Sequence, residues 1–167
     1  MNTIKISTII ILLFGMISCS SSQHLNKDFT DFYNHHQDDN GVVSFSLPIG
    51  LAKILIDDDD DDAKKILGKL NKMRIFICEK DNGFYTKAIE GYLPEPNYHD
   101  LMVIRDGAET VVFKIKEPVN GKIKEIILTV SKPDSFVAIS FNGNFDMEDA
   151  REMTSSVKRG NLGDIRL

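Results

Sequence analysis

The sequence predicts an α+β fold, an antiparallel sheet with helices packed mainly on one face. Two observations carry this reading. The second half of the chain holds four strand-like runs in succession, separated by tight-turn residues. The remaining apolar segments mostly show helical spacing and flank that block, so the strands are bunched and not dealt out singly between helices.

The elements follow in order. Leu25, Phe29, Phe32 and His36 fall at i, i+4, i+7 and i+11, which is one side of a helix from about Leu25 to His36. Gly41 ends it, and the weak alternation of Val42 to Leu47 favours a strand. Pro48 suits a helix start, with a short helix over Ile49 to Ile56. After the run Asp57 to Asp62, the residues Ala63, Ile66, Leu67 and Leu70 form a second helical stripe. Met73 to Glu79 reads as a strand, Asp81-Asn82-Gly83 as a turn, and Phe84 to Tyr92 as a helix stopped by Pro94 and Pro96.

The four-strand meander comes next: Leu101 to Arg105, Thr110 to Lys116, Lys122 to Ser131 and Phe136 to Phe141. Its turns are Asp106-Gly107, Asn120-Gly121 and Pro133-Asp134. Val111, Phe113 and Ile115 alternate with Val112, Lys114 and Lys116, so one face of this strand is expected to be wet. Asn142-Gly143-Asn144 reads as a turn. Asp146 can cap a last helix carrying Met147, Ala150, Met153 and Val157 on one side. No internal repeat or linker divides residues 25–157, so one domain is expected there, with a loose tail over 158–167.

Composition bounds the rest. The chain has 167 residues, 42% hydrophobic and 27% charged, an ordinary globular balance that needs no disulfide. Trp is absent, so Phe, Ile and Leu must fill the core. Net charge is −5; the only charge before Cys19 is Lys5, which leaves −5 − 1 = −6 beyond it. The run Asp57 to Asp62 accounts for all six of those charges, so the acidity is local. No basic face argues for nucleic acid.

The first 18 residues have the pattern of a signal peptide. Lys5 is the positive region, and Ile6 to Ile17 is an apolar stretch of suitable length. That stretch falls short of the roughly 20 apolar residues that a membrane-spanning helix needs. Met16-Ile17-Ser18-Cys19 is similar to a bacterial lipobox, with Met16 where Leu is usual. The reading expects lipidation of Cys19, a polar tether over 19–24, and a periplasm-facing place on the outer membrane. Each buried acyl CH₂ contributes about 0.8 kcal/mol, so three acyl chains would hold permanently where one would not. An ordinary cleaved signal with an incidental cysteine is the alternative. Cys78, in the apolar run Met73 to Cys78, is expected to be a small buried hydrophobe.

Chemistry-bearing residues are sparse. Asp57, Asp58, Asp60 and Asp62 are candidate Ca²⁺ ligands, but consecutive carboxylates cannot all converge on one ion. An exposed acidic linker at a helix start is the expected reading. His35-His36 beside Asp38-Asp39 offers metal-type ligands, yet adjacent helical side chains point about 100° apart, so a solvated helix end is expected. His99-Asp100 is a weaker instance. No G-x-S-x-G and no phosphate-binding glycine loop occurs. Lys114, Lys116, Lys122 and Lys124 cluster on two neighbouring strands and are candidates for meeting anionic headgroups or an acidic partner, although an ordinary wet sheet face is the expected reading.

These features resemble a Bacteroidetes lipoprotein family catalogued as domain of unknown function 4252. The residues carrying the resemblance are the lipobox cysteine, Phe29-Thr30-Asp31-Phe32-Tyr33, Asn40-Gly41-Val42-Val43-Ser44 and the helix Ala63 to Leu70 running into Met73-Arg74-Ile75-Phe76. Tyr98 to Asp106 and the strand-rich half ending in Phe145-Asp146 complete it. It spans roughly Asp28 to Val157 and implies no catalytic residue and no cofactor. The expectation is a lipid-anchored, non-enzymatic binding or regulatory module that contacts another envelope protein. A small-molecule or lipid binder with a pocket between helices and sheet is the alternative. An enzyme whose site is assembled from distant residues is the third.

Overall fold

In the computed structural model of the chain, residues 27–52, 61–80 and 83–159 are described. Helix α1 (Phe29–His36) starts at Asp28, whose carboxylate accepts from the Thr30 and Asp31 amides while Asp31 accepts from the Asp28 amide. This reciprocal cap fixes the start later than the apolar stripe suggested. Strand β1 (Val42–Pro48), short helix α2 (Ile49–Ala52), helix α3 (Asp61–Lys69) and strand β2 (Leu70–Cys78) follow. Helix α4 (Phe84–Glu90) then leads into β3 (Tyr98–Asp106), β4 (Glu109–Lys116), β5 (Ile123–Ser131), β6 (Phe136–Phe145) and helix α5 (Met147–Arg159).

The strands make one open, fully antiparallel sheet in the order β1-β2-β6-β5-β4-β3. The expected α+β class and the four-strand meander are both present. The β4–β5 turn shows why Asn-Gly was legible: Asn120 and Gly121 both take positive φ, 53° and 70°, as a two-residue hairpin requires.

The helices, however, are divided between both faces of the sheet. Paired residues share a face, and rows across the sheet identify each side. Val103, Val112, Thr129, Ala138 and Phe76 lie on one face, which α1, α4 and the segment after α4 cover with Phe29, Phe32, Tyr33, Tyr85, Ile89 and Leu93. Met102, Phe113, Leu128, Ile139 and Ile75 lie on the other; there Ile66 and Leu67 of α3 and Ala150 and Met153 of α5 pack. The reason is the length of apolar run in β5 and β6. Ile126, Ile127 and Leu128 are all buried, so both sides need cover.

Three local readings also change. Asn142-Gly143-Asn144 is no turn; it lies inside β6 and pairs with β2 and β5. Gly143 is there because a Cβ would stand 2.4 Å from the Lys69 carbonyl oxygen and 2.6 Å from the Phe145 ring. Gly143→Ala must displace backbone, and a loss of about 1–3 kcal/mol is expected from such overpacking, readable by urea unfolding. Met147, placed on the inward side of the last helix from sequence, is 41% exposed, whereas Ala150 and Met153 are buried. Helix α5 also continues to Arg159, two residues into the expected tail.

Asp146 does cap α5, accepting from the Glu148 and Asp149 amides at 3.1 and 3.0 Å. The Asp149 carboxylate reciprocates to the Asp146 amide and takes both its oxygens to Lys69 Nζ at 2.6 Å. The Asp149 amide, helped by Lys69, holds the Asp146 carboxyl down to about 2. A folded-state value below the unfolded one gives stability above pH 4 that is lost as pH falls toward 2. The wild-type advantage over Asp146→Asn, measured by thermal unfolding, is therefore expected to be present at neutral pH and to close between about pH 4 and 2. Asn retains the cap, so the comparison isolates the charge.

Candidate functional site

Helices α1 and α4 do not cover their face of the sheet completely. Between α4 and strands β3–β5 a groove of about 290 Å³ remains. Its apolar floor is Val103, Val112, Leu93, Ile89 and Phe136, and its rim carries Arg105, Asp100, Lys114, Glu90 and four hydroxyls. The pleat explains this mixture. Alternate residues of β3 and β4 point into the groove, so Arg105 with Thr110, Val103 with Val112, and Asp100 with Lys114 form three rungs. Thr86 of α4 donates to Ser131 Oγ at 3.0 Å, tying the helix to β5 at one end of the groove. At the other end Lys114 is hydrogen-bonded to Asp100.

Below the groove the same face holds a buried polar group. Glu125 is 3% exposed, and its carboxylate accepts from the Tyr98 hydroxyl at 2.7 Å, Ser140 Oγ at 2.6 Å and Asn142 Nδ2 at 3.4 Å. Burial, then the adjacent Glu125 carboxylate, pushes the Tyr98 phenol far above its ordinary range, with the Phe29 backbone amide opposing. Tyr98 is thus a fixed neutral donor. With three donors on its two oxygens, Glu125 ties β3, β5 and β6 beneath α1 and is a structural group.

His36 and His35 divide as neighbours on a helix should. His35 is exposed. His36 is buried among the rings of Phe32, Phe84, Tyr85 and Tyr92, 5.1 to 6.1 Å between centroids. Its Nδ1 is 2.8 Å from Asp39 Oδ2, which also accepts from the Tyr85 hydroxyl at 3.0 Å. The expected solvated helix end is therefore wrong for His36. The bond from His36, opposed by partial burial, lowers the Asp39 pKa. His99 pairs with Glu117 and Asp100 with Lys114, so that weaker pair also separates. Among the described residues no group of three or more His, Cys, Asp or Glu is placed to hold a metal ion.

The four sequence-predicted lysines do not form one patch. Lys114 lines the groove. Lys116 reaches Asp28 at 3.3 Å and lies over the Tyr98 ring. Lys122 faces Asp146 at 3.9 Å, and Lys124 donates to Asn144 at 2.6 Å. Asp57, Asp58 and Asp60 lie outside the described residues, as does Cys19; Asp62 falls in the first turn of α3. Cys78 is buried, as its apolar run indicated. Sequence reasoning missed Arg105 and the hydroxyls of the groove, which show no pattern until β3, β4 and β5 are in register. Glu125 did leave a signal, as a lone carboxylate inside the run Ile123 to Val130.

Among the described residues no helix is long and apolar enough to cross a membrane. A family model described as a domain of unknown function, DUF4252, matches residues 33–153, well over half of the 167. No curated protein and no solved structure matches the chain.

Proposed function

Since the chain belongs to the family of domains of unknown function DUF4252, whose description assigns no activity, we propose that it is a lipid-anchored, non-enzymatic binding module of the cell envelope. Its groove between α4 and strands β3–β5 receives part of another envelope protein. The observation that carries this reading is the groove itself, where the helices leave the sheet open and apolar floor meets convergent charges and hydroxyls. Its size favours a protein partner. Pockets that engulf small molecules run to roughly 300–1,000 Å³, and this one is at the lower limit. A side chain or short segment reaching in from a larger interface fits such a volume. The lipid anchor rests on Met16-Ile17-Ser18-Cys19 after an apolar run, and it would hold the module at the periplasmic side of the outer membrane.

Val112→Arg tests the proposal by filling the groove from its floor. Val112 is only half-buried on the wet side of β4, so the fold should tolerate the change. Solubilised from envelopes in mild detergent, the wild-type chain and an Arg151→Ala control are expected to migrate as a complex larger than the monomer, and Val112→Arg as the monomer. Equal migration of all three rejects the groove as the binding site. The apolar floor supports one further reading, a small amphiphile bound in place of a protein. In that case organic extraction of the purified wild type yields a ligand that Val112→Arg lacks.

A further inference from the structure

The β4–β5 hairpin stands at one end of the sheet. Its tip, Val119, is 61% exposed, the most exposed large hydrophobic residue among those described. A single exposed valine is ordinary on a protein surface. Its setting distinguishes this one. Lys122 and Lys124 follow it, and Lys116 precedes it. Over residues 116–124 the formal charge is +3 from the lysines and −1 from Glu117, or +2, and the Asp146 carboxylate of the neighbouring helix cap stands 3.9 Å from Lys122. Lys116, at the base of the hairpin, is ion-paired to Asp28, the cap of α1. The chain therefore enters the domain beside this hairpin. Asp28 lies nine steps along the chain from Cys19 (28 − 19), a reach of at most about 30 Å even when fully extended.

We propose that the β4–β5 hairpin is the membrane-facing end of the domain, with Val119 dipping into the headgroup layer and Lys122 and Lys124 meeting lipid phosphates. This inference rests on the anchor at Cys19. One valine and a few lysines are too few to hold a soluble domain on a bilayer. For a domain already tethered within reach, the same contacts set orientation, because the tether supplies the local concentration. The orientation has a consequence for the groove. Thr110 lies six residues up β4 from Lys116, so the Arg105–Thr110 end of the groove stands about 20 Å farther from the bilayer and faces the partner.

The test uses the full lipidated chain in vesicles of phosphatidylethanolamine and phosphatidylglycerol. An environment-sensitive fluorophore is placed at Val119→Cys or at Phe84→Cys. Phe84 is 56% exposed at the opposite end of the domain, beside His36. The buried Cys78 and the lipidated Cys19 do not compete for label. Lipids brominated in their acyl chains are expected to quench the label at 119 about threefold more than that at 84, and Lys122→Glu with Lys124→Glu should lower the difference. Flotation with vesicles but equal quenching at both positions overturns this orientation and leaves the anchor standing. Failure to float with vesicles overturns the anchor and this inference with it.

Discussion

Cys19→Ala is expected to move the chain from the membrane pellet to the soluble fraction. The size of the effect follows from the additive contribution of acyl carbons, at about 0.8 kcal/mol for each buried CH₂. A thioether-linked diacylglyceryl group and an N-acyl chain bury dozens of such groups. Among the described residues no helix is long and apolar enough to cross a bilayer. Partition between sedimented membranes and supernatant should thus change from nearly complete to nearly absent. If Cys19→Ala still sediments with membranes, and carbonate or high salt does not release it, the lipid is not the anchor.

The second large effect is on stability, at Phe32. This ring is fully buried on the α1–α4 side of the sheet. Its centroid lies 5.0 Å from Phe76, 5.6 Å from Tyr92, 5.9 Å from Phe29 and 6.3 Å from Phe136. Phe32 therefore joins α1 to strands β2 and β6 and to the segment following α4. Truncation to Ala removes the ring and leaves a cavity whose walls belong to four elements and cannot collapse together. A cost of about 3–5 kcal/mol is expected. That corresponds to a melting temperature lower by roughly 10–20 °C for a domain of this size. Phe84→Ala serves as control, because that ring is 56% exposed and its loss should change stability little. Equal shifts in the two variants would contradict the account of the core.

Phe32 also shows what could be read from the chain alone. Its spacing to Phe29 and His36 marks one side of a helix, and all three are buried. The alternation in β4 and the Asn120-Gly121 turn were legible for the same reason, namely that each depends only on neighbours in sequence. The division of helices between two faces was not. It depends on β2 pairing with β6 across a long stretch of chain, which puts buried residues on both sides of the sheet's centre. Gly143 misled for a related reason: in a turn-like Asn-Gly-Asn triplet, the glycine is demanded by the Lys69 carbonyl of another element.

The candidate site was harder still to read. Arg105, Thr110 and Ser131 come together only through the registers of β3 with β4 and β4 with β5. Among the charges singled out from sequence, only Lys114 and Asp100 line the groove. The others were prominent because they are exposed, and an exposed charge is most often a solvated one. His36 was misjudged because its polarity suggested solvent, whereas the apolar stripe that contains it pointed inward.

The central claim is that the groove between α4 and strands β3–β5 holds a partner in the envelope. The most direct measurement is site-specific photocrosslinking in intact cells, with a photoreactive phenylalanine analogue at Glu90, exposed on the groove rim, and, separately, at exposed Arg151 of α5. One adduct of discrete mass is predicted from position 90, lost when Val103→Glu is added to charge the groove floor, and no such adduct from position 151. The same adducts from both positions, or an adduct from 90 that persists with Val103→Glu, would contradict it.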